Sequence, residues 1–311
     1  MSDTIKDEIK NFSEIAMARS GKQYLKISLH AIKNFAINHN LKIGEVEILA
    51  LENGIVPERY QRNVGTIGIN GQVRLLKSKI VIIGLGGLGG IVLELLARMG
   101  IGNIVVVDGD VFEESNLNRQ LLCRENNLGL SKTEAAFERV KNINQGIEVD
   151  AHFTPIKEEN VGEIIDRVDV VIDALDNIPS RFLVEKGAKK MGIPLIHGAV
   201  AGFTGQVLTI FPEDKGLQGI YGSKDNLPDS GIETGLGTPG IIPAMVGSWQ
   251  AQEAVKIILK KGGLLRNRLL YIDGEKGTVE IINLNRKNRK GEGIKVYSLS
   301  RKWIKNFNEE G

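Results

Sequence analysis

The sequence has one cysteine, Cys123, among 311 residues. A lone thiol excludes an intramolecular disulfide and any CxxC metal clip. There is no excess of either charge: 40 Lys and Arg face 38 Asp and Glu, a formal net charge of +2. Near-neutrality argues against a nucleic-acid-coating protein and against a membrane-surface protein. Long apolar runs are missing too, since the longest stretches are strand-sized or amphipathic and none spans a bilayer. Met1 to Lys10 alternates acidic, basic and polar residues and lacks the apolar core of a signal peptide. Together these absences predict a cytoplasmic protein. Aromatics are sparse at 5%, yet 42% hydrophobic and 25% charged residues is the composition of an ordinary soluble globular chain. At this length a sizeable core is available, because the buried fraction of surface rises with size.

Residues 5–38 read as helix. Ile5, Ile9, Phe12 and Ile15 recur at helical spacing, as do Tyr24, Ile27, Ala31 and Phe35 after a polar break at Ser20-Gly21. A short third helix is expected from Glu45 to Glu52, ended by Asn53-Gly54, and Pro57 marks a boundary. Residues 1–56 are therefore expected to form an N-terminal helical appendage, and 57–311 the main domain.

From Lys79 onward strands and helices alternate. KIVIIG (79–84), NIVVVD (103–108), 148–156 and DVVIDA (169–174) read as strands, with helices over 89–99, from Ser131 to about Asn142, and 180–191. Ser131 and Glu134 have the spacing of a capping box. Alternation of this kind predicts a doubly wound, Rossmann-like, mostly parallel sheet. Further strands are expected at 194–199 and 205–211, then a long helix from Pro243 to Lys261. An antiparallel hairpin (269–273 with 278–283) closes the domain. The polar stretch between Pro212 and Pro239 reads as a mobile loop over the site or a tolerated surface excursion.

Gly84-Leu85-Gly86-Gly87-Leu88-Gly89 is a GxGxxG that closes a strand and opens a helix. Gly84 permits the turn, Gly86 lets the backbone approach a phosphate, and Gly89 lets the helix pack close to the strand. The free N–H groups of the helix start favour an anion. Asp108 ends the next strand, about 20 residues on, where a ribose hydroxyl would be held. This much serves NAD and ATP equally. Arg119, Lys132 and Asp176 tip the balance, because all three fall near strand ends, where ligands of open α/β sheets gather. Adenylation of a carboxylate needs cations to bring one anion up to another, and one or two carboxylates for Mg²⁺. A carboxylate acceptor is already ionised at neutral pH, so no general base is required.

RYQRN (59–63), GQVRLLKSKIVIIGLGGLGG (71–90), VVDGDVFEESNLNRQ (106–120), LGLSK (128–132), DALDN (173–177) and GSWQAQEAVKIIL (247–259) together resemble the adenylyltransferases of the ThiF/MoeB/HesA family. The resemblance covers roughly 57–284. It implies catalytic roles for Arg62, Arg119, Lys132 and Asp176, with Arg62 reaching across a homodimer interface into the partner's site. It implies nucleotide contacts from Gly84, Gly86, Gly87, Gly89, Asp108, Asp110, Asn116 and Gln120, and Mg²⁺ held by Asp176. The implied reaction is adenylation by ATP of the C-terminal glycine of a ubiquitin-like sulfur carrier of the MoaD or ThiS type, releasing pyrophosphate.

Two departures stand out. Relatives with a structural zinc carry two CxxC pairs, and the matching positions, near 219–222 and 286–293, hold no cysteine, so no zinc is expected. The sulfur-transfer cysteine of ThiF-type members is replaced by Gly231, and Cys123 reads as a small packing residue. The chemistry is therefore expected to stop at the adenylate, as in the MoeB branch. His197 reads as lining the site or as a packed core histidine, and Met245 and Trp249 as core.

Other readings use the same residues. A tRNA threonylcarbamoyladenosine dehydratase of the same superfamily also activates a carboxylate, but near-neutral charge makes a nucleic-acid partner unlikely. A non-catalytic nucleotide-binding partner protein would explain the missing cysteines but not the intact Arg62, Arg119, Lys132 and Asp176. An NAD(P) oxidoreductase leaves the NLNRQ segment and Lys132 without a role.

Overall fold

Every residue from Ile80 to Ile83 is buried, and their side chains divide between two separate cores. Ile80 and Ile82 join one cluster; Val81 and Ile83 join the other. That is the signature of a strand covered on both faces. The computed structural model describes residues 3–17, 21–222 and 236–285.

The main sheet has eight strands in the order β11-β10-β9-β8-β7-β4-β5-β6. The strands are β4 (Lys79–Ile83), β5 (Asn103–Asp108), β6 (Glu148–Phe153), β7 (Val170–Asp173), β8 (Leu195–Ala201), β9 (Thr204–Ile210), β10 (Arg268–Asp273) and β11 (Thr278–Asn283). Strands β6, β5, β4, β7 and β8 run parallel; β9, β10 and β11 continue the sheet antiparallel. One face carries α4 (Gln61–Lys77), α5 (Gly87–Met99), α6 (Lys132–Ile143) and α10 (Ile241–Leu259), and the other α7 (Glu158–Ile164), α8 (Ile178–Met191) and α9 (Gln218–Tyr221). The chain winds outward from β4 through β5 to β6, then returns to β7 on the other side of β4. This places the topological switch point, and hence the ligand crevice, at the carboxyl ends of β4 and β7.

The doubly wound sheet and the C-terminal hairpin are as expected, with ends shifted by up to three residues. Ser131 caps α6, its hydroxyl accepting the N–H of Glu134 at 3.1 Å. Besides the short α9, two helices escaped the sequence reading. One is α7; the other is α4, whose apolar period is interrupted at Gly68 by a non-helical φ of 74°. The polar stretch after Pro212 holds a short helix, α9; Gly231 and the tail from 286 lie outside the described residues.

The appendage corrects an expectation. It is not all helical: α1 (Asp3–Asn11), α2 (Leu29–His39) and α3 (Ile43–Glu52) surround a three-stranded sheet of β1 (Glu14–Met17), β2 (Gln23–Ile27) and β3 (Ile55–Pro57). Ile27 and Ile55 join Ile9, Phe35 and Val46 in a core of its own. Segments of four and five residues are too short for periodicity to separate strand from helix. What decides for strand is the parallel pairing of Leu25 with Ile55, a contact far along the chain. Ser28, whose hydroxyl accepts the N–H of Ala31 at 3.2 Å, starts α2 inside the stretch read as the second helix.

Candidate active site

Three glycines shape the turn after β4, for different reasons. Gly84 has φ +93°, and a Cβ there would lie 2.6 Å from the carbonyl oxygen of Ala174. At Gly89 a Cβ would lie 1.8 Å from the carbonyl oxygen of Gly84, so α5 can rest on β4 only with glycine there. Gly86 is different. Its φ is −73°, and a Cβ would meet nothing nearer than Nε2 of Gln120 at 3.7 Å. No neighbour crowds a side chain at 86; the space there opens into a cleft at the N-terminus of a 13-residue helix.

That cleft has a volume of about 730 Å³, the size of a small-molecule site. Gly84, Gly86, Gly87, Asp108, Asp110, Arg119, Gln120, Lys132 and Asp176 all line it. Nine of the expected residues thus converge at the strand ends. Asn116, Gly89 and Arg62 do not line it. Gly89 acts through packing, as above. Asn116 lies behind the cleft surface: its Oδ1 accepts the N–H of Glu113 at 3.2 Å and its Nδ2 donates to Ser115 Oγ at 3.3 Å. It is buried as the brace of a short turn that presents Arg119. Arg62 lies exposed near the start of α4, outside the cleft of its own chain.

The polar groups of the cleft are arranged in pairs. Asp108 accepts the N–H of Leu85 at 2.7 Å and of Asp110 at 2.9 Å, tying β5 to the glycine turn. Burial pushes its carboxyl above the ordinary value, opposed by the nearby Lys132 ammonium and by these two N–H groups. The Lys132 ammonium, nearly buried, donates to the exposed Asp110 at 2.8 Å. Three donors on an ammonium leave two for a ligand. Arg119 donates to the Ser115 carbonyl at 3.0 Å and to Asn118 Oδ1 at 2.9 Å, which fixes its stem while the residue stays half-buried at the cleft. Gln120 is 6% exposed, and its Oε1 has no hydrogen-bond partner. A buried acceptor left open is costly unless a ligand or water meets it. Asp176 projects from the loop after β7, exposed and without an ion-pair partner among the described residues.

A buried network lies behind that loop. His197 Nδ1 is 2.7 Å from Asp173 Oδ2, and its Nε2 is 3.0 Å from the Tyr221 hydroxyl. His197 is fully buried and does not line the cleft. Burial holds its imidazole below the ordinary value, with Asp173 opposing. Arg181, which sequence reasoning missed, donates to the carbonyl of Leu175 at 2.7 and 3.2 Å, closing the loop that carries Asp176. The signal was its place one turn into α8, directly below the DALDN segment. Cys123 is buried, as expected, with burial raising its thiol. Met245, expected in the core, is 36% exposed, and Trp249 packs at the core's margin.

Among known proteins, the ThiF family matches residues 60–293. The SAMP-activating enzyme E1 of Haloferax volcanii is 37% identical over 230 residues, 72% of this chain and 84% of that protein. The sulfur carrier protein adenylyltransferase of Thermus thermophilus is 34% identical over 246 residues, 75% of this chain and 89% of that protein. The adenylyltransferase and sulfurtransferase MOCS3 of Culex quinquefasciatus is 34% identical, but the match spans only 53% of its length. In fold, the crystal structure of E. coli MccB with ATP aligns over 89% of this chain and 96% of its own, at a TM-score of 0.64 and 21% identity. Residues 60–311 make up about 81% of the chain, so that likeness extends into the appendage.

Proposed function

Because the chain belongs to the ThiF family, we propose that its cleft adenylates the C-terminal carboxylate of a ubiquitin-like sulfur carrier with ATP, working as a homodimer. The observation that carries this reading is the meeting of Arg119, Lys132 and the carboxylate of Asp176 around the open Gly86 turn. A site built for a dinucleotide has no need of this charge set.

The reaction places an ionised carboxylate against the α-phosphorus of ATP. One carboxylate oxygen forms a bond to that phosphorus, and the bond to the pyrophosphate oxygen breaks. No proton moves, so the reaction asks for no general base. The barrier is the repulsion of two anions, and cations fixed in advance lower it. Lys132 and Arg119 supply charge from this chain, and Arg62 of a second copy supplies it across the dimer interface. The N–H groups at the start of α5 receive a phosphate. Asp108 accepts a ribose hydroxyl on lone pairs that Leu85 and Asp110 leave free, and Gln120 Oε1 gains a donor. The donor set at Asp176, a free hard oxygen facing the cleft, fits Mg²⁺, which would neutralise the triphosphate while keeping several waters.

The test is ATP–pyrophosphate exchange with purified carriers ending in Gly-Gly. Exchange that depends on the carrier is the expected result. ATP binding without exchange, whatever the carrier, would overturn the reading in favour of a nucleoside substrate or a non-catalytic role.

A further inference from the structure

The segment Arg59–Asn63 is tied inward at four of its five side chains. Tyr60 is fully buried, its hydroxyl donating to Glu47 Oε2 at 3.1 Å and accepting from Asn144 Nδ2 at 2.8 Å. Arg59 Nε lies 3.4 Å from Glu47 Oε1, an ion pair with a carboxylate that has no exposure at all. Gln61 bonds the hydroxyl of Tyr24 on β2. Asn63 donates to Gln72 at 3.0 Å, and Gln72 in turn donates to the Met99 carbonyl at 2.8 Å. Only Arg62 among the five is exposed with no bond to any described residue.

The buried contacts come from both parts of the chain. Glu47 and Tyr24 belong to the appendage; Asn144 and Met99 belong to the main domain. Backbone fit reinforces the joint. A Cβ at Gly100 would lie 2.6 Å from Cε1 of Tyr60, and one at Gly44 would lie 2.6 Å from the carbonyl oxygen of Gly146. Burial raises the Glu47 carboxyl above its ordinary value, with Arg59 and Tyr60 opposing. A buried carboxylate held at a joint by one cation and one hydroxyl is a costly way to glue two parts, but it fixes direction well.

We propose that Tyr60 and Glu47 are positioning residues that aim Arg62 at the cleft of a partner copy, so that the appendage serves as the bracket of a residue acting in the neighbouring subunit. The inference rests on the homodimeric reading above. Tyr60 sits at the N-cap of α4, two residues before Arg62. The hydroxyl, clamped from two sides, sets where the first turn of that helix begins, and through it the arc an arginine stem can sweep. A displacement of about 1 Å at a charge-stabilising group costs on the order of a hundredfold in rate.

The experiment is subunit complementation. Two differently tagged copies are co-expressed, mixed dimers are purified on both tags, and pyrophosphate exchange is read with the carrier that supports wild-type exchange. In Arg62→Ala/Lys132→Ala mixed dimers one cleft is intact, and about half of wild-type activity returns. Failure of that control, or failure to obtain dimers, overturns the reading in which Arg62 acts on the partner, and the bracket with it. Tyr60→Phe alone is expected to lose activity by roughly tenfold to a hundredfold. Paired with Lys132→Ala it regains about half of wild-type activity; paired with Arg62→Ala it regains none. A role confined to its own cleft gives the opposite pattern, a role in stability alone affects both pairings alike, and either result overturns the bracket while leaving the dimer reading intact. Glu47→Gln, which keeps an acceptor for Tyr60 but removes the charge beside Arg59, carries the same test should Tyr60→Phe not fold. Wild-type exchange in both variants also overturns the proposal.

Discussion

Asn177, and not its neighbour Asp176, caps helix α8: the Asn177 side-chain oxygen accepts the N–H of Ser180 at 2.9 Å. An aspartate just before a helix most simply caps it. Here the adjacent asparagine takes that duty, and Asp176 keeps its carboxylate for the cleft. The two roles separate by mutation. Asp176→Ala is expected to abolish exchange with an unchanged melting temperature. Asn177→Ala should destabilise by about 1 kcal/mol in thermal or urea unfolding, with exchange surviving. Loss of stability in the aspartate variant would return the cap to Asp176.

Gly86 and Gly89 make a second pair of opposites. A methyl group at 86 enters open space in the cleft; at 89 it meets the Gly84 carbonyl at 1.8 Å. Gly86→Ala should fold with a near-native melting temperature and bind ATP at least tenfold more weakly by calorimetry, because the backbone can no longer approach a phosphate. Gly89→Ala should yield little folded protein. If both fold and Gly86→Ala binds ATP normally, the phosphate does not lie on this turn.

Arg119→Ala and Lys132→Ala are each expected to lose roughly 10²–10³ in exchange rate, the scale of removing one preorganised charge. Both side chains reach the cleft surface, so circular dichroism and melting should change little for Arg119. Lys132, nearly buried against Asp110, should show a modest loss of stability as well. Wild-type exchange in either folded variant would remove that residue from the site.

The Asp173–His197 pair predicts a pH effect. Burial holds the imidazole below its ordinary value of 6.5, so the unfolded chain takes up a proton that the folded chain refuses. Stability contributed by this site is present above that value and is lost as pH falls below it. Melting temperature should drop between about pH 7 and pH 5. The profile of His197→Gln should be flatter, whatever its absolute height. Two profiles with the same slope would show that His197 is not kept neutral.

Much of the main domain was legible because its signals are local. The runs KIVII, NIVVVD and VVID are buried on both faces and read as strands without reference to anything else. Ser131 capping α6 involves residues three apart. The site was legible in the same way where residue and backbone coincide: Gly86, Asp108, Lys132 and Asp176 sit at strand ends or helix starts that the pattern already locates. The turn that Asn116 braces was not legible, because the same amide suits a phosphate or a turn, and its bonds to Glu113 and Ser115 appear only in the folded chain.

By itself the sequence determined the alternation of strands and helices, the glycine-rich turn and the charge types around it, since all of these follow from periodicity, sterics and hydrogen bonds within a few residues. Tertiary structure alone decided the rest. It made strands of 14–17 and 23–27, because these pair with each other and 25–27 pairs with β3 across two intervening helices. It put His197 beneath the cleft and not in it, because β7 and β8 bring Asp173 and His197 side by side. It turned Arg62 outward while burying its neighbour Tyr60 between two parts of the chain. Each outcome depends on contacts between residues far apart in sequence, whose free energy no local pattern carries.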